Sequence, residues 1–558
     1  MKQRILIFTL AMVSILTAVK AQSLKPTYKT SANGNPISPC VFCADPTAVE
    51  YEGRLYVYGT NDHQQFIANG RTGENHYGSI KSLVVFSTDD LVNWTFHGII
   101  DVGALCGSWC YASWAPSVVS RQEDDGLTHF YLYFSNSGAG VGVLTSTSPT
   151  GPWRSPLTHA LISKSSPGVG LCSSPFDPGV CIDADGTGYL AFGGGSVNAE
   201  GTKLMPGNAR IVKLRPNLIS LDGAAVEIPA PYHFEANELN VMNGKLVYTY
   251  CTTWSDRDDW ADYGRSLDAP TSASMCYMTT STPLVSTSWR YAGEYLANPG
   301  RFGYPYGNNH THLQKFGISY YLLYHTQTLE QKMQTGASGF RSIAIDHATV
   351  YERQQKVNSV SPSDAGPDAL HSLDPYALQQ AETMSTAGGI SYEDFHNVEH
   401  PSKNLSHEPL LISLQAGAWT MVRNVDFGSD GPAQLQLSTR GRGVIEVRPG
   451  NLGAQPAAIL SIEADGTAVY DIANPARLRG VQNVYFVATE SDGLQWDSWQ
   501  FLPVGSAGIS DNKRETTNNN PVYDLQGRPA TSGSPFSSVI LSKSKKQFTN
   551  LLLTKTNN

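Results

Sequence analysis

Charge is what this chain has least of. Charged residues fill only 16% of its 558 positions, against 41% hydrophobic. That balance excludes a chain kept disordered by its charges and leaves a packed globular protein. A basic surface is missing as well: the net charge is −9, which argues against nucleic acid as a partner, because binding phosphates needs cationic side chains. The apolar run at the N-terminus, Ile5 to Leu16, is too short to span a bilayer and has no stop-transfer flank. It follows the basic Met1-Lys2-Gln3-Arg4 and leads to the small-x-small site Ala18-Val19-Lys20-Ala21. Residues 1–21 therefore read as an export signal, with a secreted or periplasmic mature protein starting near Gln22. No Cys follows Ala21 to take a lipid. Cys40 and Cys43 form a C-x-x-C, but no second ligand pair stands at zinc spacing. The eight Cys allow disulfides in an exported chain, and Cys106/Cys110, Cys172/Cys181 and Cys251/Cys276 are near enough in sequence to pair.

Turn and strand formers are plentiful: 51 Gly, 32 Pro and 27 Tyr. One pattern recurs five times: a polar or aromatic opening, an apolar strand, a short turn and a Tyr-rich strand. The copies open at Asp45-Pro46, Trp114-Ala115-Pro116, Asp177-Pro178, Glu235-Ala236 and Asn309-His310. Their second strands are Leu55-Tyr56-Val57-Tyr58, Phe130-Tyr131-Leu132-Tyr133-Phe134, Tyr189-Leu190-Ala191-Phe192, Leu246-Val247-Tyr248-Thr249-Tyr250 and Tyr320-Tyr321-Leu322-Leu323-Tyr324. Small sheets repeating at this scale predict a five-bladed β-propeller, in which the openings converge on one axis. The propeller is expected over residues 22–355. A Ser-, Pro- and Gly-rich linker follows at 356–374, then a β-sandwich of jelly-roll type at 375–503, built from segments such as Trp419-Thr420-Met421-Val422 and Val484-Tyr485-Phe486-Val487. Residues 504–558 read as a polar tail. The expected fold is all-β, and a monomer is expected.

Three of the five openings are carboxylates: Asp45, Asp177 and Glu235. Gathered in one cleft, such groups do acid and base work once their surroundings separate their pKa values. Asp183 and Asp185-Gly186 read instead as hairpin-turn residues. A non-catalytic sugar-binding propeller is the other reading of the same carboxylates. Crowding like charges without a catalytic use is unfavourable, which favours the enzyme.

The stretches Ala44-Asp45-Pro46, Trp114-Ala115-Pro116-Ser117, Phe176-Asp177-Pro178-Gly179-Val180, Phe234-Glu235-Ala236 and Gly307-Asn308-Asn309-His310 resemble glycoside hydrolase family 43 over about residues 38–353. The resemblance implies an inverting enzyme with Asp45 as general base, Glu235 as general acid and Asp177 orienting the acid and raising its pKa. An inverting pair leaves about 6.5–9.5 Å for a water. The blocks Gly193-Gly194-Gly195 and Tyr248-Thr249-Tyr250-Cys251-Thr252 are similar to members that release α-L-arabinofuranose or β-D-xylose from xylans. Trp114, Phe234 and Arg341 are the implied sugar contacts, and His310 is implied at the propeller axis, near a central calcium or water. Asn-His-Thr-His departs from the adjacent histidines expected there. Residues 375–502 resemble carbohydrate-binding module family 6, through Gln380-Ala381-Glu382-Thr383-Met384, Val425-Asp426-Phe427-Gly428 and Asp497-Ser498-Trp499-Gln500-Phe501. This implies Glu382 and Asp497 as ligands of a structural calcium, with Tyr392 as one wall of a sugar cleft that lacks the expected Trp near Thr467. No organic cofactor is implied; the partner is a plant polysaccharide or oligosaccharide. Val522-Tyr523-Asp524-Leu525-Gln526-Gly527-Arg528 is similar to C-terminal segments of secreted proteins from Bacteroidetes-type bacteria.

Overall fold

A computed structural model of the chain describes residues 23–503, apart from 71, 171, 196–206, 256, 258, 259, 335 and 393–409. The expected export signal, the tail and its Val522–Arg528 motif lie outside the described residues. Five antiparallel sheets follow one another as blades. Blade one contains Ala44–Tyr51, Arg54–Thr60, Leu83–Thr88 and Trp94–Ile100. Blade two contains Trp114–Gln122, Thr128–Ser135, Gly140–Ser146 and Ile162–Ser163. Blade three contains Gly179–Ile182, Gly188–Phe192, Arg210–Lys213 and Val226–Glu227. Blade four contains His233–Met242, Lys245–Thr252, Met275–Thr280 and Arg290–Leu296. Blade five contains Thr311–Phe316, Ser319–Thr326 and Ser342–Ala348. The chain before blade one closes the ring along the last strand of blade five, where Ile37 N–H donates to Ile343 O (2.9 Å) and Cys43 N–H to Arg341 O (2.9 Å).

The Tyr-rich second strands are apolar on both faces because each blade is buried on both sides. In blade four, Leu246, Tyr248 and Tyr250 pack toward blade three with Ala191 and Ile211. The alternate residues Val247 and Cys251 pack toward blade five with Leu322 and Tyr324. The same two-residue alternation supplies a core between every neighbouring pair of blades.

Beyond a small hairpin of Val350–Tyr351 and Lys356–Val357, the strands that follow form one seven-stranded antiparallel assembly dominated by the long Ile412–Asp426, Pro432–Pro449 and Val481–Pro503. Its bulges let these strands bend around a core of Phe486, Trp496, Trp499 and Phe501. This is the expected sandwich, and it is fused to the propeller. Thr383–Met384 pairs antiparallel with Trp94–Ile100 and becomes a fifth strand of blade one. Phe96 meets Tyr392 at 4.8 Å between ring centroids, and a single hydrophobic core runs from Leu323 and Ile343 through Phe86 to Leu414 and Phe486. Tyr392 is therefore buried at 4% exposure; it is a seam residue and cannot wall a sugar cleft. The stretch expected as a linker is strapped down: Val360 N–H bonds Tyr295 O (2.8 Å), Ser363 Oγ bonds Asp346 Oδ1 (2.6 Å) and Leu370 N–H bonds Asp90 O (3.1 Å).

All eight cysteines are free. Cys172 and Cys181 belong to different inter-blade cores, as do Cys251 and Cys276, so neither of those pairs can close. Burial pushes the thiols of Cys40 and Cys43 up to about 12, which leaves them inert at ordinary pH. Among the described residues, no helix is long and apolar enough to cross a membrane.

Candidate active site

Four of the five innermost strands, those of blades one to four, are entered through a common backbone irregularity. Asp45 (φ 50°), Ala115 (φ 39°), Asp177 (φ 48°) and Ala236 (φ 62°) all occupy the left-handed region. In blades one, two and four this coincides with a bulge, between Ala44 and Thr47, Trp114 and Ser117, and Glu235 and Glu238. A side chain in this conformation costs about 1–2 kcal/mol, and such strain gathers at functional sites, where bulges re-aim side chains. Registers also correct the simple alignment of openings. Trp114 pairs with Ser135 as Glu235 pairs with Cys251 and Ala44 with Thr60. The acid thus stands one residue ahead of Asp45 and Asp177 in the repeat, in the place Trp114 fills in blade two.

Asp45 is 5% exposed and held on both oxygens. Its Oδ1 accepts from Arg341 Nη1 (2.9 Å) and its Oδ2 from Thr60 Oγ1 (2.7 Å). Burial by itself would raise its pKa, but the Arg341 charge and the Thr60 bond outweigh burial and leave the carboxyl below its ordinary value. Arg341 is itself clamped by Asp62: Nε to Oδ2 (2.9 Å), Nη2 to Oδ1 (2.8 Å) and backbone N–H to Oδ2 (3.0 Å). Its guanidinium lies 4.7 Å from the Tyr77 ring centroid. His325 Nδ1 accepts the Asp45 N–H (3.1 Å), which leaves Nε2 as the donor to Asn308 O (3.0 Å). That tautomer is neutral, and burial, with the Arg341 charge, lowers the His325 pKa to about 3. His310 Nδ1 stands 3.7 Å from Asp45 Oδ1, its pKa lowered by burial to about 4.

Asp177 ties three blades together. Its N–H donates to Ser135 Oγ of blade two (2.7 Å), and its Oδ2 accepts the Ala236 N–H of blade four (2.9 Å). The second bond fixes the peptide that carries Glu235. Burial and the Asp45 charge push Asp177 up to about 7. Glu235 keeps part of its surface open to solvent, and no hydrogen bond to its carboxyl occurs among the described residues. Burial, then the Asp177 and Asp45 charges, raise its pKa well above the ordinary carboxyl range. One cleft thus holds a carboxyl whose pKa is held down and another whose pKa is pushed up. Phe234 adjoins Glu235 and its carbonyl takes the Gly195 N–H (3.0 Å). The Trp114 indole is fixed by its Nε1–H to Tyr77 O (2.8 Å), and the next residue, Ala115, donates its N–H to Thr60 Oγ1 (2.8 Å). The three predicted carboxylates, Trp114, Phe234 and Arg341 are therefore all brought to this end of the propeller.

The axial histidine is His312. Its Nδ1 lies 3.4 Å from Glu238 Oε1 and 3.5 Å from Thr47 Oγ1, and Ser117 Oγ donates to both Glu238 oxygens (3.3 Å each). Ser117 Oγ also accepts the Val180 N–H (3.0 Å), so all five inner strands meet in this ring. Gly179 is required here, because a Cβ would come within 2.4 Å of Glu238 Cα. His310, expected at the axis, faces Asp45 instead: it lies two residues before the axial position, on the funnel side. Glu382 is 3% exposed. Burial first, and then the charge of nearby Asp497, raise its pKa well above the ordinary value. Among the described residues, no group of three or more His, Cys, Asp or Glu side chains is arranged to hold a metal.

Sequence reasoning missed Asp62, Thr60, Ser135, His325 and Glu238. Thr60 and Ser135 end the second strands of their blades, and His325 stands one residue before the end of its own. A recurring polar terminus after a Tyr-rich run was the available signal. Asp62 opens a helix behind an Asn61 cap, and nothing local tells it from an ordinary first-turn acid.

A propeller whose funnel pairs a carboxyl of lowered pKa with one of raised pKa has the arrangement that glycoside hydrolysis needs. The comparisons agree. The model of glycosyl hydrolases family 43 matches residues 33–345, and the chain belongs to that family. It is 34% identical over 497 residues to an arabinoxylan arabinofuranohydrolase of Bacillus subtilis (strain 168), covering 85% of this chain and 93% of that protein. It is 33% identical over 499 residues to an arabinoxylan arabinofuranohydrolase of Paenibacillus polymyxa, covering 86% and 76%. A crystal structure of a family 43 arabinoxylan arabinofuranohydrolase from Bacillus subtilis, in complex with cellotetraose, superposes with a TM-score of 0.75 at 32% identity, covering 86% of this chain and 99% of that one.

Proposed function

We propose that the protein is an exported, inverting glycosidase that removes α-L-arabinofuranosyl units from xylan-type polysaccharides or their oligosaccharides. The observation that carries this reading is the opposite displacement of two carboxyls in one cleft, Asp45 downward and Glu235 upward. Asp45 would take a proton from a water as that water attacks the anomeric carbon. Glu235 would give its proton to the departing glycosidic oxygen. Asp177 positions the acid through the Ala236 N–H and adds the negative charge that keeps it protonated. Trp114 and Phe234 flank the sugar, and Arg341 holds the base ionised. Arabinofuranose is favoured over β-D-xylose because the two relatives that match most of the chain are arabinoxylan arabinofuranohydrolases. Export is supported by the basic, apolar and small-residue succession of residues 1–21.

A structural calcium is part of the proposal. Glu382 and Asp497 suit a hard cation: a buried carboxylate stands beside a second one, on which the Arg440 charge also acts. The ion would neutralise that pair in the sandwich, remote from the chemistry. Proton NMR of the first product from an arabinoxylan oligosaccharide tests the main reading. The β-furanose anomer should appear first; an α anomer first would mean a covalent intermediate and a different role for Asp45.

A further inference from the structure

Two large aromatic side chains stand open to solvent at the same end of the propeller as the three carboxylates. Trp254 is 47% and Tyr306 46% exposed, and their ring centroids lie 5.2 Å apart with planes inclined at 58°. They come from successive crossings of the rim. Trp254 follows the second strand of blade four, and Tyr306 lies on the segment that leads from blade four into blade five. We propose that this pair is a stacking subsite for a pyranose unit of the polysaccharide main chain, next to the unit that is cleaved off. The proposal rests on the glycosidase reading and adds a site to it.

Three observations carry it. The first is continuity with the funnel: Pro305 and Gly307, the neighbours of Tyr306 in sequence, line a cavity whose other walls include Asn308, His325 and Arg341. His325 and Arg341 are the residues that bond Asp45. A main chain held at Trp254 and Tyr306 would thus run past the mouth of the catalytic cleft.

The second is preorganisation. Tyr306 Oη donates to Ser272 O (3.1 Å). Tyr306 packs closely on Gly300, where a Cβ would come within 2.3 Å of Tyr306 Cδ2. A ring held at its hydroxyl and beside Gly300, and still 46% exposed, spends little entropy on binding. The third is chemistry. Pyranose rings present C–H faces that pack on aromatic rings, and the tyrosine and indole polar edges remain for hydroxyls. A xylose unit carries no exocyclic hydroxymethyl group, so it can lie flat in the angle between two inclined rings.

The test compares two substrates in full-length protein. One is a xylo-oligosaccharide bearing an arabinofuranosyl branch; the other is 4-nitrophenyl α-L-arabinofuranoside, which has no main chain. Trp254→Ala and Tyr306→Ala should raise KM for the branched oligosaccharide by about three- to tenfold relative to their effect on the nitrophenyl substrate. Trp254→Phe should restore most of the difference. Equal changes on both substrates, or no change on the oligosaccharide, would overturn the subsite while leaving the glycosidase reading in place. If the unaltered protein cleaves neither substrate, the glycosidase reading fails by itself. Titration with xylotetraose, followed by tryptophan fluorescence, then decides the subsite: saturable binding lost in Trp254→Ala supports it, and absence of binding overturns it.

Discussion

Glu235 and Glu238 lie on one strand of blade four, three residues apart, in opposite circumstances. Glu238 points into the axis, 1% exposed, with Ser117 and His312 on its oxygens. Burial raises its pKa, the His312 charge works against burial, and His312 is raised in return by Glu238. This is a satisfied buried pair, and it pins five strands. Glu235 sits before the bulge, partly open, with no donor on its carboxyl among the described residues and with two acidic neighbours that raise its pKa further. Residue type is the same at the two places. The difference lies in partners and solvent access: one acid is spent on the fold and the other is left free to give up its proton.

The largest expected effect removes funnel and axis together. Deleting residues 375–558 strips the outer strand from blade one and opens the shared core at Phe96, so the remaining propeller should aggregate or melt at least about 10 °C lower. Circular dichroism melting reads this, and an unchanged melting temperature would separate the lobes after all. Next is Glu235→Gln, with an expected loss of about 10²–10⁴-fold in kcat/KM on arabinoxylan and a melting temperature equal to or above the parent's. A substrate with a very good leaving group should lose far less. Near-normal turnover of arabinoxylan would mean that the acid is elsewhere.

The double variant Arg341→Gln with Asp62→Asn removes a buried cation together with its counter-ion, so neither charge is left stranded. Asp45 then loses the charge that holds its pKa down. Because the base must be ionised, the acid limb of the pH–rate profile should move upward by about 1–3 pH units. Glu238→Gln should show the smallest change in rate: kcat within about twofold, but stability lower by about 1–3 kcal/mol through loss of a charged partner for His312. Denaturant unfolding checks the second figure. A large fall in kcat with unchanged stability would give the axis a catalytic part that its closed position denies it.

Much of this contrast was legible in the sequence, and the illegible part has a physical reason. Repeats bury alternate residues on both blade faces, so the Tyr-rich strands announced the propeller. Asp45, Asp177 and Glu235 stood out as acids where a repeat begins. The register did not show: a bulge shifts a strand by one residue without changing its composition, which is why Glu235 looked equivalent to Asp45; His310 looked axial because it opens its repeat, although the axial residue stands two positions later. Nor did the clamp on Arg341, because Asp62 and Arg341 are joined only by the closing of the ring. The seam through Tyr392 and Thr383–Met384 was hidden for the same reason: a strand that completes another lobe's sheet reads locally like any other strand.

The central claim is that surroundings keep Asp45 ionised and Glu235 protonated at the same pH. The most direct measurement is the pH dependence of kcat/KM on an arabinofuranosyl-branched xylo-oligosaccharide, whose poor leaving group needs the acid, for the parent and for Glu235→Gln. The parent should follow a bell. Its rate should rise as pH increases through the depressed pKa of Asp45, below the ordinary carboxylate range, and fall as pH increases through the raised pKa of Glu235. In Glu235→Gln the rising limb should stay and the falling limb should vanish. A falling limb that persists unchanged in Glu235→Gln would contradict the account, because some other group would then be the titrating acid.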